Sequence, residues 1–136
     1  MKKQDIQGRK ITLVYGLLCD ELIRDEQSKK ASAIGIFDRI YTETVPAAHR
    51  RLVIFTRWEG NPGEYHLTLF LRRPGGSKDT LEIPNLIIES NSKDVQFAIN
   101  VVNLQINQFG EHVFEIVIDE EVKEEIKFDV RKPTQG

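Results

Sequence analysis

The sequence predicts an all-β domain, specifically an antiparallel two-sheet sandwich of about eight strands with an immunoglobulin-like or related Greek-key topology. Turn-forming residues recur at short intervals, as in Gly60-Asn61-Pro62-Gly63 and Pro74-Gly75-Gly76-Ser77. Between these two turns, apolar residues from Tyr65 to Leu71 alternate with mostly polar ones. No stretch keeps a helical period of apolar residues for more than a turn or two. Short alternating strands separated by regular turns are typical of sandwiches.

Chain length and charge limit the number of domains and the kinds of partner. The 136 residues suit one domain, and we expect residues 10–131 to form it between polar tails at 1–9 and 132–136. The net charge of −2 and the isoelectric point near 5.9 argue against a protein that neutralises nucleic-acid phosphates. Nucleic acid is therefore not an expected partner.

The single cysteine bears on the compartment. Cys19 has no second cysteine with which to form an intramolecular disulfide, which favours a reducing compartment such as the cytoplasm. An apolar run precedes it, as in a lipoprotein signal, but Leu18 stands where a signal peptidase needs a small residue. The run from Ile11 to Leu18 is also too short to span a bilayer. We therefore expect this run to be a core strand of a cytoplasmic protein that does not associate with a membrane.

The N-terminal half contains three predicted strands. Residues 11–18 are apolar on both faces, which is typical of a central strand, and the charged segment 19–30 is a connection in which Asp20 to Arg24 offers one helical turn. The second strand covers residues 31–43. A loop at 44–50, which contains Pro46, leads to the third strand at 51–59.

The C-terminal half contains the remaining strands. Their expected positions are 65–72, 80–88 with Pro84 at an edge or a break, 95–106, and a final hairpin with arms around 114–118 and 126–130. Apolar parity changes between Val101 and Val102, so a bulge or a move between sheets is expected there. A two-residue turn at Asp119-Glu120 would place Glu120 at positive φ; the alternative is a longer loop.

The pivotal stretch is Ile34-Gly35-Ile36-Phe37-Asp38-Arg39-Ile40, an apolar run that contains an adjacent acid and base. In a regular strand, Asp38 would share a face with the isoleucines. We expect it to be buried and paired with Arg39, Arg57 or backbone donors, because an unpaired buried carboxylate costs several kcal/mol. A bulge that returns Asp38 to water is the alternative.

Two aromatic residues follow glycine turns in similar settings. Tyr65 comes after Pro62-Gly63, and His112 comes after Phe109-Gly110. In immunoglobulin-like sandwiches, a tyrosine at such a corner donates a hydrogen bond to the backbone a few residues upstream. We expect Tyr65 to do so and His112 to imitate it, as packing devices.

The sequence resembles a widespread uncharacterised bacterial family of small single-domain proteins. The resemblance rests on five segments: Leu17-Leu18-Cys19-Asp20-Glu21, the stretch Ile34 to Ile40, Pro46-Ala47-Ala48-His49, Phe55-Thr56-Arg57-Trp58 and Pro62-Gly63-Glu64-Tyr65. It implies a small β-sandwich of unknown function with no assigned catalytic residues. The sequence departs from the family pattern at Arg50, where proline is usual, and at Glu120, where glycine is common.

Chemical motifs give little support for catalysis or for a bound metal. The three histidines, His49, His66 and His112, lack metal-ligand spacing. The acids between Asp20 and Glu26 lack a glycine-punctuated calcium loop, so a solvated acidic loop is the preferred interpretation. No nucleophile elbow, phosphate loop or dinucleotide fingerprint is present. We expect no enzyme, no cofactor and no metal.

The leading functional hypothesis is a non-catalytic binding or assembly module that holds another protein, or a second copy of itself, at a loop end or a sheet edge. The candidate structural or recognition residues are Asp38, Arg39, His49, Arg57 and Trp58, with the core as the favoured place for Trp58. The alternative is a sugar- or ion-binding domain, and a hydrolase is more distant. Sugar binding would need exposed rings, for which the candidates are Trp58, Phe70, Tyr41 and Phe109.

Overall fold

The computed structural model describes residues 10–134, and within them the chain is all-β, with eleven strands and no helix. The strands are β1 (Ile11–Arg24), β2 (Ala31–Phe37), β3 (Arg39–Tyr41), β4 (Ala47–Gly60), β5 (Gly63–Tyr65), β6 (Leu67–Arg72), β7 (Lys78–Leu81), β8 (Leu86–Ile88), β9 (Asp94–Ile106), β10 (Gly110–Ile118) and β11 (Glu121–Arg131). The expected N-terminal tail, residues 1–9, lies outside the described residues, as do the last two residues of the expected C-terminal tail.

The strands form three sheets. A four-stranded antiparallel sheet has the order β2-β1-β4-β9, and a five-stranded sheet has the order β3-β11-β10-β6-β7. β5 and β8 form a separate two-stranded ribbon. β3 pairs with β11 in parallel, so the expectation of a purely antiparallel arrangement of about eight strands is wrong in both respects.

The strand count differs because the chain changes sheets inside two predicted strands. The segment 31–43 divides into β2 and β3, which belong to different sheets, and the segment 80–88 divides into β7 and β8 on either side of Pro84. Proline removes a ladder donor and so favours such a break. The predicted connection 19–30 is also wrong in part, because β1 continues to Arg24 as a strand in place of a helical turn.

The inward-facing side chains of the two larger sheets and of the β5–β8 ribbon form one continuous core. Its largest fully buried members are Trp58, Tyr65, Phe114 and Phe128. β4 supplies alternate residues to this core, and β6 does the same with Leu67, Leu69 and Leu71. The alternation in the sequence therefore identified the buried faces of these two strands correctly.

The predicted change of face in β9 is confirmed, but the bulge or move between sheets that was expected to cause it is wrong, because β9 stays in one sheet and keeps one register with β4 on both sides of Asn103. Ile99 and Val101 point into the core on one parity, and Leu104 and Ile106 do so on the other. Asn103, between the two pairs, has a φ of 52°. A residue in the left-handed region turns the strand over locally, and asparagine tolerates this region better than most residues.

The predicted aromatic corner is confirmed at Tyr65. Its hydroxyl donates to the carbonyl oxygen of Asn61 at 2.6 Å, four residues upstream. His112 makes a related bond, since its Nδ1 lies 3.0 Å from the carbonyl oxygen of Gly110. Both side chains are buried, and each fixes the backbone where a strand begins.

Of the two alternatives for the final hairpin, a two-residue turn and a longer loop, the structure has the two-residue turn. Ile118 pairs with Glu121, so Asp119 and Glu120 are the two loop residues. Their φ values are 49° and 72°, the pattern of a type I′ turn. The bend thus imposes a left-handed backbone on two residues that carry side chains.

Candidate docking edge of the four-stranded sheet

The sheet edges differ in how far they are protected from other chains. β3 and β7, at the edges of the five-stranded sheet, have only three and four residues. At the β9 edge, Nη1 of Arg73 donates to the carbonyl oxygen of Gln105 at 2.7 Å. Among the strands of residues 10–134, β2 pairs only with β1, and it contains no charged residue and no proline. Short length, charge and proline are the usual protections of an edge strand, and β2 has none of them, so it is an open edge among the described strands.

The distal half of the β1–β2 hairpin packs against the outer face of its own sheet. Cys19, Val53 and Phe55 on that face are buried, and they form a second apolar cluster separate from the main core. Leu22 and Ala33, from the distal part of the hairpin, pack against this cluster. The hairpin therefore covers the side of the sheet that faces away from the main core.

A side-chain hydrogen bond shows the direction in which the hairpin folds. Arg24 lies nine residues beyond Tyr15 along β1, a distance of about 30 Å in a straight strand. Tyr15 is paired with Arg57, and Arg57 is paired with Gln96. Nevertheless, Nη1 of Arg24 donates to Oε1 of Gln96 at 2.9 Å. The hairpin must therefore fold back across the sheet from β1 toward β9.

Gly35 permits this reversal. Its φ is 72°, and a Cβ at this position would lie 2.5 Å from Oδ2 of Asp20. Cys19 and Leu22 are three residues apart, which would place them on opposite faces of a regular strand, yet they pack in the same cluster. A local twist of the ribbon at Asp20 and Gly35 accounts for the exchange of faces.

Exposed isoleucines lie along the open edge. Ile34 and Ile36 of β2 are 45% and 61% exposed, and Ile23 of β1 is 46% exposed. Single exposed apolar residues are common on protein surfaces. Here, however, two of them stand on one uncharged strand whose outer edge has no partner strand in residues 10–134, and the exposed charges of Lys30 and Asp38 flank this strand.

Asp25 stabilises the turn at the tip of the β1–β2 hairpin. The amide of Ser28 donates to Oδ2 of Asp25 at 2.7 Å, and this bond lowers the pKa of Asp25 below its usual value. Within residues 10–134, no three His, Cys, Asp or Glu side chains gather where they could hold a metal ion. Of the acids considered for calcium, Asp20 and Glu21 lie in β1, and Asp25 accepts the amide of Ser28 in the turn.

The expectation for Asp38 is wrong with respect to burial. Its side chain is 83% exposed, and Nε of Arg39 lies 3.9 Å from its Oδ1. Asp38 sits between β2 and β3, where the chain leaves one sheet for the other, and its carbonyl oxygen accepts a hydrogen bond from the amide of Asp129. Alternation predicted a buried face, but it applies only within one strand, and here the strand ends. Asp38 therefore lies in water beside the open edge.

Arg39 and Arg57, the expected partners of Asp38, have other contacts. A hydrogen bond with Tyr41 is the main cause that raises the pKa of Arg39. Arg57 pairs with Asp94 and, at 3.4 Å, with Glu59, and its pKa is raised mainly by the bond to Asp94. Neither arginine belongs to a buried ion pair with Asp38.

Trp58 and His49 lie inside the fold. Trp58 is fully buried, as favoured from the sequence, and its Nε1 donates to Oγ1 of Thr56 at 2.8 Å. It therefore takes no part in a surface with the nearby loop. His49 is half-buried and its ring lies 6.0 Å from that of Phe37. The five candidate residues do not converge on one site.

The loop next to Trp58 borders a cavity of about 550 Å³. Its lining residues are Glu59, Gly60, Asn61, Pro62, Lys93 and Asp94. The four rings considered for sugar binding do not assemble there or elsewhere. Trp58 is in the core, Phe70 lies under Nζ of Lys78 at 5.0 Å, and Phe109 is half-buried. Only Tyr41 of the four is exposed.

The sequence signal for the open edge was present, although the candidate residues did not include it. The run from Ala31 to Phe37 contains seven residues without a charge in a chain that is 29% charged. Such a run predicts equally well a strand buried on both faces. The sheet order, which places β2 at an edge, decides between these two interpretations.

The described residues form an all-β protein in which one sheet edge is open. The chain belongs to a family of unknown function (DUF6941), which matches residues 14–131. The predicted resemblance to an uncharacterised family is thus confirmed. No curated protein matches the sequence.

Solved structures share the fold at very low sequence identity. An alkylpurine DNA glycosylase, AlkC, from Pseudomonas fluorescens is 9% identical with a TM-score of 0.60, over 93% of this chain and 32% of the glycosylase chain. A β-glucosidase from Listeria innocua is 7% identical with a TM-score of 0.56, over 93% of this chain and 17% of that one. The chain spans about a third or less of these proteins, so the likeness concerns the fold of one part of each.

No helix in residues 10–134 has the length and apolar character needed to cross a membrane.

Proposed function

We propose that this protein is a non-catalytic binding or assembly module of the bacterial cytoplasm, built as an immunoglobulin-like sandwich, that binds another protein chain through β2. The observation that carries the proposal is the unpaired, uncharged edge of β2 with Ile34 and Ile36 exposed along it. Nucleic acid and membrane are not proposed as partners, given the net charge of −2.

The proposed mode of binding is strand addition. Every second residue of an edge strand directs its amide and carbonyl away from the neighbouring strand, and a partner strand satisfies these groups through a new ladder. Backbone hydrogen bonds then supply affinity, and contacts with Ile34 and Ile36 supply specificity. Burial of their exposed apolar surface adds about 25 cal/mol per Å².

The edge is held in place by the contacts of the hairpin. Leu22 and Ala33 anchor it on the buried cluster, and Arg24 holds its tip at Gln96. A strand fixed in this way is ordered before a partner arrives, which reduces the entropy lost on binding. This preorganisation supports a docking role better than a loose hairpin would.

The test compares a blocked edge with a matched surface change. Ile36→Lys places a charge on the open edge, and Val102→Lys places one at an equally exposed apolar residue of β9, since both side chains are 61% exposed. Wild type and both variants are immobilised and used for capture from native cytoplasm, followed by hydrogen exchange of β2 in the recovered complex.

We expect wild type and Val102→Lys to recover the same protein, with β2 amides protected in the complex, and Ile36→Lys to lose it. Recovery that is equal for all three proteins would refute the role of β2. Unfolding in urea checks that both variants keep the fold.

A further inference from the structure

We propose that residues 21–34 form a flap that opens as one unit about a hinge at Asp20 and Gly35 and uncovers the outer face of the four-stranded sheet. The structure has the flap in its closed position, folded across that face with its tip at Gln96. This inference goes beyond the proposed function, because it concerns a movement of the chain itself and requires no partner.

Among the described strands, the flap pairs only with itself. β1 pairs with β4 from Ile11 to Cys19 and not beyond. β1 pairs with β2 in one register on both sides of the hinge, but the ladder skips Asp20 and Gly35 themselves. The chain thus enters and leaves the flap at an opposed pair that belongs to neither ladder. A rotation at this pair leaves the paired residues on both sides intact.

Gly35 has the backbone freedom that a hinge needs. Hinges are a few residues that absorb large changes of φ and ψ, and glycine has access to a wider range of both angles than other residues. The φ of Gly35, 72°, already lies in the left-handed region. Asp20, on the opposite strand, is exposed, so its side chain can turn with the flap without disturbing the core.

The flap holds its own shape through internal hydrogen bonds. Beyond the hinge, the ladder pairs Glu21–Arg24 with Ala31–Ile34. At the tip, the amide of Asp25 donates to the carbonyl oxygen of Lys30 at 2.9 Å, and Nη1 of Arg24 donates to that of Lys29 at 2.8 Å. These bonds lie within the flap, so it keeps them when it leaves the sheet.

The contacts that hold the flap closed are few and small. Leu22, Ala31 and Ala33 are partly buried against the second apolar cluster. Two of these three are alanines, so little apolar area is buried. The polar contact at the tip, from Arg24 to Gln96, is exposed, and water competes for both groups. Few apolar contacts and exposed hydrogen bonds are typical of a segment that opens locally at low cost.

Opening exchanges one exposed surface for another. Cys19, Val53 and Phe55 are buried in the closed position, and they lose their cover when the flap leaves. Residues 31–34 of β2 move away with the flap, while residues 36–37 stay paired with β1. The open form therefore has an apolar patch on the outer face of the sheet and a β2 edge that is divided at Gly35.

The test measures distances between pairs of spin labels by double electron-electron resonance in the full chain, with Cys19→Ala throughout. One pair joins Gln27→Cys at the tip of the flap to Asn100→Cys in β9. The control pair joins Ile36→Cys, on the fixed side of the hinge, to the same β9 position. All three labelled positions are exposed. Each pair is measured alone and with Arg24→Ala, Gln96→Ala or the matched control Arg50→Ala.

We expect Arg24→Ala and Gln96→Ala each to raise the population of a longer Gln27–Asn100 distance about fivefold, since each removes the same hydrogen bond. The Ile36–Asn100 distance should not change, and Arg50→Ala should affect neither pair. A Gln27–Asn100 distance that neither variant lengthens would overturn the flap. An equal change in both pairs would overturn the hinge at Gly35. Unfolding in urea checks that every labelled protein keeps the fold.

Discussion

At the scale of single residues, His112 is the buried titratable group whose charge state bears most on stability. Its ring is fully buried and stacks on Phe128 with centroids 4.9 Å apart. Nδ1 donates to the carbonyl oxygen of Gly110, which assigns the proton of the neutral ring to that nitrogen. Burial is the main cause that lowers the pKa of His112 below its ordinary value of 6.5.

A lowered pKa predicts that acid destabilises the fold through His112. Below pH 6.5, His112 binds a proton in the unfolded chain but stays neutral in the folded chain. The contribution of His112 to the free energy of unfolding is therefore complete above pH 6.5 and is lost as the pH falls toward the pKa of the folded state. The loss has a limiting slope of about 1.4 kcal/mol per pH unit. Urea unfolding from pH 8 to pH 5 measures it. His112→Phe should remove this part of the pH dependence, and His66→Gln, at an exposed position, should retain it.

Residue patterns predicted burial well within strands and poorly at their ends. The core place of Trp58 and the corner bond of Tyr65 followed from alternation and from a glycine turn. The same alternation placed Asp38 inside, because the sequence does not mark the point where β2 gives way to β3. The identity of the buried face is a property of one strand, and the transfer of the chain to another sheet resets it.

At the scale of elements, the folded-back hairpin explains the complete burial of Cys19. Leu22 and Ala33 pack on the cluster that contains the thiol, and burial raises its pKa. Both effects suppress the thiolate that reacts with disulfide reagents. Opening of the hairpin is therefore the step that exposes Cys19 in the native protein.

Loss of the contact at the hairpin tip should speed the reaction of Cys19. Arg24→Ala removes the hydrogen bonds to Gln96 and to the carbonyl oxygen of Lys29. We take the net contribution of these Arg24 contacts to hairpin stability as about 1 kcal/mol. Their loss should therefore raise the rate at which a disulfide reagent labels Cys19 about fivefold. Arg50→Ala, at another exposed arginine, should have no effect. Equal rates in wild type and Arg24→Ala would show that the hairpin is not held at Gln96.

The terminal turn carries a conformational cost that glycine would relieve. Glu120 has a φ of 72°, which glycine adopts freely and a residue with a Cβ does not. We expect Glu120→Gly to stabilise the fold by roughly 0.5–1 kcal/mol, reduced by the entropy that glycine adds to the unfolded chain. The urea midpoint measures this. Asp119→Gly is the comparison, because it also removes the bond from the His66 amide to Asp119 at 3.1 Å and should gain less or lose stability.

At the scale of the whole molecule, the all-β class followed from the sequence because turns and alternation are local signals. Two other features could not be predicted from the sequence, because they depend on contacts between distant segments. They are the parallel pairing of β3 with β11 and the separate β5–β8 ribbon. The open edge of β2 has the same origin. A run of seven uncharged residues predicts a strand, and only the sheet order shows that one side of it has no partner strand among residues 10–134.

The last prediction concerns the whole chain and metal ions. The acids between Asp20 and Glu26 are spread over a strand and a turn, and the carboxylate of Asp25 accepts the Ser28 amide. Without a converging set of ligands in residues 10–134, a metal ion would add no folding free energy there. Dialysis against a chelator should therefore leave the melting temperature unchanged. A fall of several degrees that added calcium reversed would contradict this and would direct attention to the hairpin tip, because a ligand of the native state raises its stability in proportion to RT ln(1 + [L]/Kd).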